Sequence, residues 1–288
     1  MSRALHNPVL QWLVYGHLWL ALGIAAQVWW IGQFMADAPE LWNYALAAGC
    51  GTIAAYNLMR WVRSRDPHLI ASEHLLWVRE RRTTVLALSA VCCLVAVVLC
   101  WPPQWLIIRW LVPAGIVAFL YVSPFSAKDG QAIGLRQVPG LKVLLIAFVC
   151  VTITVAVPMA YDEVGHSTTE IVLMMCMRLP LFMAITIAFD IRDTAFDPPS
   201  LRTIPQVMGV RGAKAFAILL LLCSALFEHV FLRGLGYTTS AWVVLIGYSA
   251  AVLLITFAKP GSGPLYYGLL LDGVLVLLPF CMWLGLGM

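Results

Sequence analysis

Asp190, Asp193 and Asp197 stand at intervals of three and four residues in the stretch Asp190-Ile191-Arg192-Asp193-Thr194-Ala195-Phe196-Asp197. In a helix that spacing places all three carboxylates on one face. Hard oxygen ligands so arranged suit Mg²⁺, which keeps several waters and shares itself readily with a phosphate. The cluster closes a long apolar segment, roughly Thr169 to Phe189. Acids at the end of a membrane helix point to a cation site at the bilayer edge. They also oppose the helix dipole unless a cation answers them. The plainer reading is a solvated helix end whose charge is balanced by Arg192 and Arg202.

The elements that must carry these residues are apolar throughout. The 288-residue chain is 62% hydrophobic and 11% charged, far from the balance of a soluble domain. A spanning helix needs about 20 mostly apolar residues. Nine stretches qualify: 10–34, 41–59, 84–102, 105–124, 140–160, 169–189, 214–232, 239–257 and 266–286. The tight turn Trp101-Pro102-Pro103-Gln104 predicts an antiparallel hairpin of the third and fourth. The first run is too long for a signal-peptide core and lacks a small-residue cleavage site. The expectation is an all-α membrane protein, one integral-membrane domain over 1–288, with nine transmembrane helices around a central cavity.

Lys and Arg favour cytoplasmic loops. With the N-terminus inside, 15 of the 18 basic residues fall on cytoplasmic segments. That predicts N-terminus in, C-terminus out, with the three long charged loops 60–83, 125–141 and 190–213 on the cytoplasmic face. The net charge of +4 is therefore a topological signal and not a sign of nucleic-acid binding. The eight cysteines lie in apolar segments without CxxC spacing, which argues against zinc and for small core hydrophobes. Residues 60–83 alternate apolar and polar side chains and read as an interfacial helix. Thr52-Ile53-Ala54-Ala55-Tyr56-Asn57 echoes Thr186-Ile187-Ala188-Phe189-Asp190; spans 2–5 and 6–9 are candidate repeated halves.

These residues resemble the UbiA superfamily of intramembrane prenyltransferases. The match is strongest over Phe189-Asp190-Ile191-Arg192-Asp193, Asp197, Leu201-Arg202-Thr203-Ile204-Pro205 and Gly209. There the family has its second aspartate-rich motif, followed by a basic-Thr-hydrophobic-Pro segment. Tyr121-Val122-Ser123-Pro124-Phe125, Lys128, Arg136 and Pro139-Gly140-Leu141-Lys142 resemble the family's loop between spans 4 and 5, where a basic residue contacts diphosphate. The resemblance implies transfer of an isoprenoid group from a prenyl diphosphate to a lipid-soluble, membrane-associated acceptor. Mg²⁺ held by two aspartate motifs would assist the leaving group in a dry chamber.

The first of those motifs is absent. The family's Asn-Asp-x-x-Asp-x-x-x-Asp pattern, aligned on Asn57, finds Leu58, Trp61 and Arg65 at its aspartate positions. One outcome is a single metal at Asp190, Asp193 and Asp197, with Arg60 and Arg63 holding diphosphate directly, a task guanidinium suits. The other is a non-catalytic isoprenoid-binding membrane protein of the same fold. Terpene cyclisation is a further variant, and transport ranks low because few broken-helix signals occur beyond Pro113, Pro180 and Pro279. The resemblance makes Asp190, Asp193 and Asp197 the catalytic metal ligands. Asn57, Arg60, Arg63, Lys128, Arg136, Arg202 and Asp272 are the candidate substrate-binding residues.

Arg178 lies mid-span, where a charge costs roughly 2.5 kcal/mol or more. It must face inward and be paired. Glu228 differs from it in depth by only about 4–5 Å at the helical rise, and Arg109 lies at a similar level, so a buried triad is expected.

Overall fold

The computed structural model describes residues 7–35, 41–65, 73–102, 104–122, 126–128, 131–133, 138, 140–161, 165–194, 197 and 201–287. Among the described residues the chain is helical apart from one small hairpin. Its helices are α1 (Pro8–Tyr15), α2 (Leu18–Met35), α3 (Leu41–Arg63), α4 (Glu73–Glu80), α5 (Arg82–Leu99) and α6 (Trp105–Val122). Then come the paired strands β1 (Ser126–Lys128) and β2 (Gln131–Ile133), with Ala127 opposite Ala132. α7 (Leu141–Val151) continues through a π-helical segment, Thr152–Ala156, into α8 (Val157–Tyr161). α9 (Thr168–Asp193), α10 (Ile204–Gly234) and α11 (Thr238–Phe257) follow, then a second π segment, Tyr266–Leu271, and α12 (Val274–Leu286).

Helix therefore occupies each of the nine apolar stretches. Among the described residues, six helical segments are long and apolar enough to cross a membrane, or seven if the bent pair α1–α2 counts as one span. The exterior agrees with that reading. Leu94, Val98, Leu226, Ile246 and Phe257 are all more than half exposed, an apolar outer surface that water would not tolerate but lipid does. The protein is an integral membrane protein.

The helices close into a ring. α2 packs on α3 and α12, α12 on α11, α11 on α10, α10 on α9, and α9 on α7, with α6 behind α7. α5 lies along α3, and α6 packs on α7 and α8, so the two helices joined by the Trp101–Gln104 turn find their main packing partners elsewhere and not in each other. The reason is the buried stripe Val85, Ser89 and Cys92, which recurs every three to four residues and offers α5 a single sticky face.

Three further expectations change. α3 runs on to Arg63, which puts Arg60 and Arg63 on its last helical turn and not in a loop. A first turn of α10 opens at Ile204, inside the predicted 190–213 loop, and Gly209, at φ 71°, kinks it away from the rest of the helix. The Thr203 N–H donates to Gln206 Oε1 at 2.9 Å, and Pro205 stands in the first turn, where its missing N–H costs least. Part of the 60–83 segment, α4, is docked on the protein and not spread alone on a bilayer surface. Leu75, Trp77 and Val78 are buried, and Trp77 Nε1 donates to Gln11 Oε1 at 2.9 Å.

The mid-membrane charge is paired as expected. Arg178 donates to Glu228 and to the side-chain oxygen of Gln27, and its guanidinium lies 4.3 Å over the Trp30 ring. The Tyr248 hydroxyl donates to the other Glu228 oxygen and lies 3.0 Å from Ser224 Oγ. The network ties α9 to α2, α10 and α11. Arg109 does not join it: the residue is exposed, and its guanidinium lies 5.9 Å over Trp110. Depth alone could not reveal that Arg109 faces outward.

Candidate functional site

A cavity of about 620 Å³ opens within the ring, inside the size range of small-molecule sites. Residues of α1–α4, α6, α7, α9 and the second π segment line it. Its two ends differ chemically. At one, the last turn of α3 brings Arg60 and Arg63, the last turn of α9 brings Asp190, Arg192 and Asp193, and the first turn of α7 brings Lys142. Deeper, Ile24, Val149, Ile153, Phe182, Ile185 and Leu275 form an apolar wall. Phe182 and Asp190 are eight residues apart on α9, about 12 Å at the helical rise.

Backbone irregularities shape this cavity. Gly16 and His17 break the chain between α1 and α2, which meet at 54°, and His17 takes φ 58°. The break turns the buried His17 ring into the wall beside Tyr56 and His74, with ring centres 5.1 and 5.2 Å away. Opposite, the second π segment shifts the helix register just before Asp272, a device common at functional sites. Asp272 thereby lines the cavity with only 7% of its surface exposed. Gly268 lets that segment approach α1, since a Cβ there would sit 2.5 Å from Val14 Cγ1.

The aspartates are already engaged by cations of the chain. Lys142 Nζ lies 2.6 Å from Asp190 Oδ1 and 3.2 Å from Asp197 Oδ2. Arg192 donates from Nε to Asp193 Oδ1 at 2.8 Å and from a terminal nitrogen to Oδ2 at 3.3 Å. The Arg192 guanidinium also stacks over Phe189 at 4.9 Å and Tyr267 at 5.5 Å. Asp190 is 1% exposed, and its burial demands such a partner. Among the described residues, no three acidic, histidine or cysteine side chains converge as metal ligands do. A Mg²⁺ ion does not fit this arrangement, because it would have to displace Lys142 from two carboxylates and Arg192 from the third.

The remaining candidates divide. Arg60, Arg63, Asp190, Asp193 and Asp272 meet in one cavity. Asp197 stands behind Lys142, outside the lining, and its carbonyl accepts from Gln206 Nε2 at 3.0 Å. Asn57 is fully buried away from the cavity and donates to the Gly16 carbonyl at 3.4 Å, so it steadies the α1–α2 break. Arg202 is exposed and is not part of the lining. Arg136 lies outside the described residues, and Lys128 is placed only as part of β1. Lys142, part of the resembling loop between spans 4 and 5, and Arg192, read from the sequence as a counter-charge to the acids, both line the cavity. His17, Tyr56 and His74 also join the wall, His74 from the segment that the sequence suggested as an interfacial helix.

Outside the membrane-spanning segments, His74 sits on α4 with its Nε2 3.2 Å from the Tyr15 carbonyl. Burial, and then the positive charge of Arg60, hold its pKa well below the ordinary histidine range. The ring is neutral at pH 7 beside the arginine end of the cavity. Adding a second positive charge there would repel the guanidinium groups.

No protein-family model matches the sequence, and no curated protein matches it. Solved structures do match the fold. A UbiA homolog from Archaeoglobus fulgidus bound to GPP and Mg²⁺ superposes with a TM-score of 0.62 at 11% identity, covering 96% of this chain and 99% of that one. The apo structure of a UbiA homolog from Aeropyrum pernix gives 0.60 at 15% identity, over 94% and 96% of the two chains. The A. fulgidus protein bound to DMAPP and Mg²⁺ gives 0.57 at 12% identity, over 96% and 99%. Likeness at this identity speaks for architecture, and the aspartate cluster read from the sequence lies in the same kind of helical ring. The chain is an integral membrane protein with the UbiA fold.

Proposed function

We propose that this chain binds a prenyl diphosphate and transfers its prenyl group to a lipid-soluble acceptor in the membrane. The observation that carries the reading is a cavity that joins an arginine-lined end to an apolar depth. A prenyl diphosphate has the same two halves. Arg60, Arg63 and Arg192 offer guanidinium groups, which bind phosphate by charge-assisted, often bidentate hydrogen bonds. Phe182, Ile153 and their neighbours exclude water from the hydrocarbon chain. The structural neighbours bound to GPP and DMAPP lend support by fold.

In the reaction, the bond between the allylic carbon and the diphosphate oxygen breaks, and its electron pair leaves with the diphosphate. The guanidinium groups stabilise that developing charge most where water is excluded. The allylic cation is then captured by the acceptor, which forms the new bond and loses a proton. Tyr56, which lines the cavity, presents an aromatic ring that favours a nearby cation. Mg²⁺ at the three aspartates does not fit the side chains as they stand, and no step is assigned to it. The distribution of Lys and Arg along the sequence supports a cavity mouth at the cytoplasmic face.

A second reading, isoprenoid binding without turnover, is favoured by Leu58, Trp61 and Arg65 standing where the resembling family carries its first aspartates. Release of diphosphate from GPP by the purified full chain, across phenolic and isoprenoid acceptors, separates the two. Release that disappears in Arg60→Ala supports transfer. Tight binding with no release under any acceptor leaves only the second reading.

A further inference from the structure

The side chains at the polar end form a completed electrostatic unit, and its composition differs from a metal site. Lys142 Nζ is within 3.2 Å of both Asp190 and Asp197. Arg192 takes Asp193. Each cation comes from a rigid place: Lys142 from the first turn of α7, and Arg192 from the last turn of α9. Lys142 is itself buried, with 9% of its surface exposed. An ammonium held there between two carboxylates is a fixture of the fold and not a surface charge passing by. The positions that would build a second carboxylate cluster on α3 hold Leu58 and Trp61, and Arg60 and Arg63 line the cavity between and beyond them.

We propose that Lys142 and Arg192, together with Arg60 and Arg63, occupy the role of divalent metal at this head, so that the cavity takes an allylic diphosphate directly on ammonium and guanidinium groups. The inference rests on the prenyl diphosphate reading and adds to it the cation used. In this arrangement Asp190, Asp193 and Asp197 are positioning residues. They hold Lys142 and Arg192 toward the cavity, and they do not ligate an ion. Lys142 is the deciding residue, because it fills the space between the two carboxylates that a metal would need.

Three measurements on the full chain in detergent test this. Binding of tritiated GPP to the wild-type protein should be the same in excess chelator and in millimolar Mg²⁺, within about twofold, a change worth only a fraction of the 1.4 kcal/mol that tenfold represents. Mn²⁺ added without GPP should give no bound-metal signal by electron paramagnetic resonance. In Lys142→Ala, Asp190 and Asp197 lose their shared cation. GPP binding in chelator should fall at least about tenfold, the loss of one charge-assisted contact, and millimolar Mg²⁺ should recover it. Wild-type binding more than tenfold tighter in Mg²⁺ than in chelator would overturn the proposal while leaving the prenyl diphosphate reading intact. Absence of GPP binding under both conditions would overturn both. The wild-type measurements decide the matter even where Lys142→Ala fails to fold.

Discussion

Glu228→Ala is the sharpest test of how the scaffold holds the site. Arg178 and Glu228 are 2% and 3% exposed in the middle of the ring. Truncating the glutamate leaves a guanidinium in a dry interior with Gln27 as its hydrogen-bond partner and the Trp30 face beneath it. It also strips the Tyr248 hydroxyl of its acceptor, although Ser224 remains 3.0 Å away. Breaking a buried pair on one side costs about 3–5 kcal/mol. Replacing both sides, as in Arg178→Met with Glu228→Leu, removes the stranded charge and should cost far less, roughly 0–1 kcal/mol. Detergent-resolved chemical unfolding followed by tryptophan fluorescence would read the cycle, the chain having 12 tryptophans. Strong non-additivity is the expected outcome. A single-mutant loss below about 1 kcal/mol, the scale of an exposed ion pair, would refute the reasoning, because the pair would then be solvated.

Three other perturbations probe the cavity and its mouth. Arg60→Ala and Arg63→Ala should each weaken GPP binding by about tenfold to a hundredfold, the 1.5–3 kcal/mol of a hydrogen bond to a charged group, measured by equilibrium binding. Phe182→Trp should shorten the apolar depth, so that longer prenyl diphosphates lose competition against tritiated GPP while DMAPP does not. The pH dependence follows from His74: its folded pKa is held low by burial and Arg60, so below about pH 6.5 the unfolded chain binds a proton that the folded one refuses. Its contribution to stability should be full above that pH and decline as pH falls toward the folded pKa, a slope that His74→Gln should remove in thermal unfolding.

Much of the architecture is legible in the amino-acid order because lipid enforces it. Backbone groups in hydrocarbon must bond internally, so each apolar run of sufficient length becomes a helix, and helix occupies all nine predicted stretches. Glu228 could be paired with Arg178 by depth because a charge in that medium must find its opposite. Lys142 was harder to recognise. It is 48 residues from Asp190 in sequence, and a lysine beside a membrane helix is equally explained by topology. Only the packing of α7 on α9 brings the two together. The π segment before Asp272 and the break at Gly16 and His17 have no period to betray them, being short local departures from a helix. Asn57 illustrates the converse: its place in a resembling motif suggested substrate, while its amide serves the Gly16 carbonyl.

The central claim is that the head of a prenyl diphosphate sits among Arg60, Arg63, Lys142 and Arg192 with its chain running toward Phe182. An electron cryomicroscopy or crystal structure of the full chain with a non-cleavable thiodiphosphate analogue of GPP tests it most directly. Phosphate oxygens should lie within hydrogen-bond distance of those four side chains, with Lys142 still between Asp190 and Asp197. An analogue bound with its head elsewhere, or with the arginine end vacant, would contradict it.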